Sequence, residues 1–98
     1  MYLLLELLNK TKEMNASDLH LIVGLAPTIR CNGKLIQLGI DKLSSSDLER
    51  FSREILQEKY DEYIEIGEFD TSYSVEGVGR FRINVFKEKN NDAIAIRV

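Results

Sequence analysis

Along Arg80-Phe81-Arg82-Ile83-Asn84-Val85-Phe86 apolar and polar residues alternate with a period of two, the pattern of a β-strand with one face on a core and the other open to water. Phe81, Ile83 and Val85 would point inward, and Arg80, Arg82 and Asn84 would share the outer side, with Phe86 at the end. A fold needs the apolar row. It has no need of repeated guanidinium groups on the outer one, and these call for a negative charge to meet.

The flanking segments complete a sheet around this strand. Phe69 to Glu76 alternates in the same way, with Phe69, Thr71, Tyr73 and Val75 on one face, and Gly77-Val78-Gly79 joins the two runs. A one-residue slip would put Tyr73 and Val75 among the arginines, so the apolar rows set the register. A three-residue loop with Gly79 left-handed predicts Glu76 opposite Arg80 and Ser74 opposite Arg82. Arg80 then has a carboxylate beside it, and Arg82 has none. After a polar loop from Lys87 to Asp92, turned at Asn90-Asn91, Ala93 to Val98 forms the last strand. Turning Ile94, Ile96 and Val98 inward sets Asn84 opposite Arg97 and makes Arg97 a diagonal neighbour of Arg82, about 7 to 8 Å away at the side-chain bases. Two guanidinium groups so placed are either solvated, at a cost of roughly a few tenths of a kcal/mol, or a clamp for a polyanion, whose phosphate oxygens match their forks two at a time. The pattern by itself leaves both open.

The earlier part of the chain supplies helices and three more strands. From Tyr2 to Met14 the residues Leu4, Leu7 and Leu8 recur at helical spacing, and Asn15 suits a left-handed helix end. Leu19, Leu21 and Val23 then alternate with Asp18, His20 and Ile22 in a strand that ends at Gly24. Asp18 and His20 share a face of it. With no third partner in view, a structural hydrogen-bonded pair is preferred to a catalytic one. Thr28 to Cys31 and Lys34 to Leu38 flank Asn32-Gly33, a pair that accepts the positive φ angles of a type I′ turn, and Pro27 falls at a strand start, where its missing N–H is tolerated. Ser44-Ser45-Ser46-Asp47 opens a second helix, with Leu48, Phe51, Ile55 and Leu56 as its buried stripe. A third, from about Glu58 to Ile66, carries Tyr60, Tyr63 and Ile64 on one side and Asp61, Glu62 and Glu65 on the other, and Gly67 stops it. The whole reads as a single domain over 1–98 of α/β (α+β) class, a two-layer sandwich of mostly antiparallel sheet packed by about three helices.

Charge and composition narrow the functions such a domain can have. The 98 residues carry 13 basic and 16 acidic side chains, a net charge of −3, which argues against the broad phosphate-facing surface that nucleic acid requires. Any anion site must therefore be local. One histidine and one cysteine cannot build a structural metal centre, and the single Cys31 excludes an internal disulfide and fits a reducing compartment. The run Met1 to Leu8 is too short, and too interrupted by Glu6 and the following Lys10 and Lys12, for a signal peptide or an anchor. No glycine-rich phosphate loop and no nucleophile with a base is present, so the chain by itself is not expected to be an enzyme. It ends with an apolar strand still in progress, as if cut from something longer.

A set of short motifs adds a resemblance. Ala16-Ser17-Asp18-Leu19-His20-Leu21, Pro27-Thr28-Ile29-Arg30 with Asn32-Gly33, Glu68-Phe69-Asp70, and Gly79-Arg80-Phe81-Arg82-Ile83-Asn84 with Phe86 together resemble the N-terminal domain of type IV pilus retraction ATPases, the twitching-motility members of the secretion ATPase superfamily. The resemblance implies a PAS-like sandwich joined to a RecA-like ATPase domain that holds the Walker motifs, in a homohexamer on the cytoplasmic side of the inner membrane, working against a membrane platform protein of the pilus. It implies Mg-ATP between the two domains of the same or a neighbouring subunit. Arg82 and Arg97 match the superfamily arginines that reach its γ-phosphate, and Arg80 is a lesser candidate for nucleotide contact. From composition and charge, no metal site, no nucleic acid partner and no transmembrane segment are expected. The alternatives are a free-standing PAS-like ligand-binding or protein-interaction module, or the same domain from a pilus-assembly or type II secretion ATPase.

Overall fold

A computed structural model describes residues 1–98. The chain runs α1 (Leu4–Glu13), β1 (Asp18–Leu21), β2 (Thr28–Cys31), β3 (Lys34–Gln37), α2 (Ser45–Leu56), a 3₁₀ turn (Gln57–Lys59), α3 (Tyr60–Ile66), β4 (Glu68–Val75), β5 (Gly79–Glu88) and β6 (Asn91–Arg97). Local chemistry sets most of these boundaries. Asn15 leaves α1 at φ 56°, and Asn32 and Gly33 take φ 53° and 79° in the β2–β3 turn, as a type I′ hairpin requires. At the start of α2 the Ser44 hydroxyl accepts from the Asp47 N–H at 3.1 Å while the Asp47 carboxylate accepts from the Ser44 N–H at 2.9 Å, a reciprocal cap. Gly67 closes α3 in the left-handed region.

The six strands form one sheet in the order β3-β2-β1-β6-β5-β4, with every neighbouring pair antiparallel. The helices supply a second layer on one side only. Leu4, Leu7 and Leu8 of α1, Leu48, Phe51, Ile55 and Leu56 of α2, and Tyr60 and Tyr63 of α3 meet Leu19, Leu21, Ile29, Phe81, Ile83, Val85, Ile94 and Ile96 of the sheet in a single core. Two residues expected inside lie outside it: Ile64 is 45% exposed and Val98 43%. Ile64 turns out of the short α3, and Val98 follows the last paired residue of β6.

Two hairpin registers differ from the sequence expectation by two residues, which preserves the faces and changes the partners. In β4–β5 the left-handed turn residue is Gly77 (φ 81°), inside a β-turn closed by the Val78 N–H on the Val75 carbonyl at 3.0 Å. Val75 therefore pairs with Gly79, and Arg80 faces Ser74 while Arg82 faces Ser72. Glu76 lies in the turn and is no partner for Arg80. In β5–β6 the turn falls one residue earlier than expected, on Lys89 and Asn90, both at positive φ (51° and 66°), so that Glu88 pairs with Asn91. Asn84 consequently stands opposite Ala95, and Arg82 stands directly opposite Arg97.

Candidate functional site

Since the helices cover one face, the other lies open, and its side chains fall into rows that cross the strands. One row runs Leu35, Arg30, Asp18, Arg97, Arg82, Ser72 from β3 to β4, and the next runs Gln37, Thr28, His20, Ala95, Asn84, Asp70. The first holds three arginines and one carboxylate. Across the middle of both rows is a shallow depression of about 460 Å³, lined chiefly by Asp18, His20, Arg30, Asp70, Arg82, Asn84 and Arg97. Small Ala95, between His20 and Asn84 in the second row, is part of its floor.

The two acids that line the depression, Asp18 and Asp70, are occupied. Asp18 accepts from the Ser17 hydroxyl at 2.6 Å, meets His20 Nε2 at 2.5 Å and faces Arg30 Nε at 3.5 Å. Partial burial pushes the Asp18 carboxyl up, and the Ser17 and His20 hydrogen bonds with the His20 and Arg30 charges outweigh this and hold it below the usual aspartate value. Asp70 accepts from Asn84 Nδ2 at 3.0 Å, and the same amide reaches Glu68 at 3.3 Å. Arg82 and Arg97 are left with no carboxylate oxygen within 4.0 Å. Both are exposed.

The structure thus brings together Arg82 and Arg97, more closely than the diagonal placement expected from sequence, and adds Arg30, which sequence reasoning passed over. The signal for Arg30 was its position two residues before the Asn32-Gly33 turn, which fixes its face. Arg80 is not part of the group: its Nη2 donates to Ser72 Oγ at 3.2 Å, and it borders a separate hollow shared with Asp70, Thr71, Ser72 and Arg82. Asp18 and His20 form the pair expected, within a larger set that includes Ser17 and Arg30. No group of three or more metal-ligating side chains occurs, and no helix is long and apolar enough to cross a membrane.

The chain as a whole is similar to known proteins. No family model matches the chain. It is 33% identical over 93 residues to the Pseudomonas aeruginosa type IV pilus retraction ATPase PilT, covering 94% of this chain and 27% of that protein. To the type IV pilus ATPase PilU of the same organism it is 26% identical over 93 residues, 94% of this chain and 24% of PilU. The chain thus spans about a quarter of the length of these relatives. Among solved structures, a pilus retraction motor PilT with bound ADP superposes with a TM-score of 0.91 at 34% identity, over 100% of this chain and 29% of that one. The Legionella pneumophila ATPase DotB shares the fold at a TM-score of 0.75 and 23% identity, over 92% of this chain and 26% of its own. By sequence over nearly all of its length and by fold over all of it, the chain belongs to the N-terminal domains of the PilT-type secretion ATPases.

Proposed function

We propose that the open face meets the phosphates of ATP held by a RecA-like domain of the same or a neighbouring subunit, in a hexameric motor that powers type IV pilus retraction from the cytoplasmic side of the inner membrane. One observation carries this reading: Arg82 and Arg97 stand directly opposite each other without a carboxylate within 4.0 Å of either. Like charges directly opposite are unfavourable in a ladder, and an anion between them would reverse the sign. The likeness to a retraction motor solved with ADP supports a nucleotide as that anion. Bound Mg-ATP would supply the transferable phosphoryl group. The arginines would orient its terminal oxygens through paired N–H donors and offset charge that builds during transfer. They are long, exposed and free to move, so approach of the nucleotide domain would be coupled to ordering of their side chains. In this reading the chain is one domain of a longer protein, and the pilus platform protein in the membrane is the load.

The test is turnover in the longer protein that includes the RecA-like domain. Arg82→Ala and Arg97→Ala should each lower ATP hydrolysis by about 10²-fold or more, the scale of a lost phosphate-contacting arginine, while size-exclusion chromatography still shows an assembled ring. Near-normal turnover in both variants would discard the proposal.

A further inference from the structure

A carboxylate stands where it could neutralise the arginine pair, and it is held elsewhere. Asp18 is the cross-strand partner of Arg97, directly opposite it in the β1–β6 ladder, the placement in which unlike charges normally join. Its oxygens are taken by other groups. Oδ1 accepts from Ser17 at 2.6 Å, and Oδ2 lies 2.5 Å from His20 Nε2 and 3.5 Å from Arg30 Nε. Neither comes within 4.0 Å of Arg97. The two Oδ2 partners sit on Asp18's own strand and on β2, the side away from Arg97.

We propose that His20 and Arg30 are positioning residues for the anion site, holding the Asp18 carboxylate off Arg97 so that Arg97 stays available, with Arg82, to a polyphosphate. The inference rests on the reading of Arg82 and Arg97 as phosphate ligands. Its physical content is a competition. A carboxylate already opposite a guanidinium competes with any incoming anion for it, because the guanidinium donates to carboxylate and phosphate through the same fork. If either tether is lost, rotation about the Asp18 side chain and the flexible stem of Arg97 allow them to pair, and one of the two charges that should meet the anion is cancelled. Arg30 has a second possible part as a direct phosphate ligand. It lies two strands from Arg97, about 10 Å at the usual strand spacing, and the two roles differ in how they respond to removal of the Asp18 charge.

Binding of inorganic tripolyphosphate to the 98-residue chain, followed by NMR on the arginine Nε–H signals, distinguishes them. His20→Ala and Arg30→Gln should each weaken binding about three- to tenfold, the range of a surface ion pair gained or a charge-assisted hydrogen bond lost. Asp18→Asn added to either variant should bring affinity back to that of the unchanged chain or above it, because an amide cannot cancel Arg97. Loss without rescue would make His20 and Arg30 ligands or merely structural, and no loss would remove the tethers from the mechanism, so either result overturns the proposal. Arg82→Ala and Arg97→Ala separate this from failure of the underlying reading. If those two bind like the unchanged chain, the phosphate assignment falls and takes the tethers with it. If they lose binding while His20→Ala and Arg30→Gln keep it, the assignment stands and the tethers alone are refuted.

Discussion

The β5–β6 hairpin carries two charged pairs in the same ladder, and they follow opposite rules. At its closed end Lys87 stands opposite Asp92, and five rungs away Arg82 stands opposite Arg97. The first pair faces the helices. The Lys87 ammonium lies 2.8 Å from Asp92 Oδ1, Tyr63 donates to the same oxygen at 2.8 Å and Tyr60 to Oδ2 at 3.2 Å, and the Asp92 side chain is only 3% exposed. Its carboxylate is met by three donors from two elements, α3 and β5. The second pair, on the open face, has like charges and no acid partner. Burial of an uncompensated charge costs several kcal/mol, so the core side admits Asp92 only with a full set of donors. Water tolerates the arginine pair at small cost, which leaves those groups free for another use. Charge placed for stability and charge placed for binding are thus told apart by whether the fold supplies the partner.

The largest expected effect tests the partnered half. Asp92→Ala strands two buried tyrosine hydroxyls and removes the lysine's counter-ion, and should cost about 2 to 4 kcal/mol in urea unfolding; a loss below about 1 kcal/mol would show that the cluster is incidental. The pH dependence follows from the same groups. Burial pushes the Asp92 carboxyl up, but the Lys87 and Tyr63 hydrogen bonds and the Lys87 charge outweigh it, and the net shift is downward from 3.8. The stabilisation is therefore present above pH 4 and lost as pH falls through the lowered native value. The tyrosines act at the other end. Burial, with the Asp92 charge, pushes Tyr60 up to about 12, and burial followed by the Asp92 hydrogen bond raises Tyr63 too. Both favour the folded state fully below pH 10, the unfolded tyrosine value, and that contribution is lost as pH rises toward 12. Asp92→Ala should flatten the acid limb of the stability profile.

A smaller effect is expected at the turn that sets both pairs. Lys89 and Asn90 take positive φ, the conformation for which Asn-Gly is the best dipeptide. Replacing them by Lys89→Asn with Asn90→Gly should stabilise the chain by about 0.5 to 1 kcal/mol and leave the Arg82–Arg97 register unchanged. Thermal unfolding measures the gain; a destabilised variant would mean that Lys89 contributes more than its backbone geometry.

That turn also shows where legibility in the sequence stops. Alternation assigned inner and outer faces correctly along β4, β5 and β6, because burial acts on every second residue. It could not fix which outward residues meet, since a shift of two residues keeps all apolar side chains inside. The choice lay in the turns. Asn90-Asn91 looked the better turn pair, yet the chain bends at Lys89-Asn90, and the preference of Gly77 over Gly79 for the left-handed site moved Glu76 away from Arg80. Asp92 was passed over for a different reason: an aspartate in a polar loop gives no sign of burial until Tyr60, Tyr63 and Lys87 are seen around it. The arginine row was readable as composition of a face. Its completion by Arg30, and the occupation of Asp18, depend on strands far apart in sequence.

The smallest expected effect is the sharpest test of the unpartnered half. If Arg82 and Arg97 contribute nothing to the fold, Arg82→Ala and Arg97→Ala should leave stability of the 98-residue chain within about 0.5 kcal/mol, on the stabilising side, because each substitution removes repulsion between directly opposed like charges. Salt gives the sign independently. Raising ionic strength shortens the reach of that repulsion, so the unchanged chain should gain slightly more stability from added sodium chloride than the double variant does. Urea unfolding at two salt concentrations reads both effects. A loss above about 1 kcal/mol in either single variant would mean that a guanidinium has a stabilising partner after all. The contrast with Lys87 and Asp92 would then collapse, since both ends of the hairpin would be serving the fold.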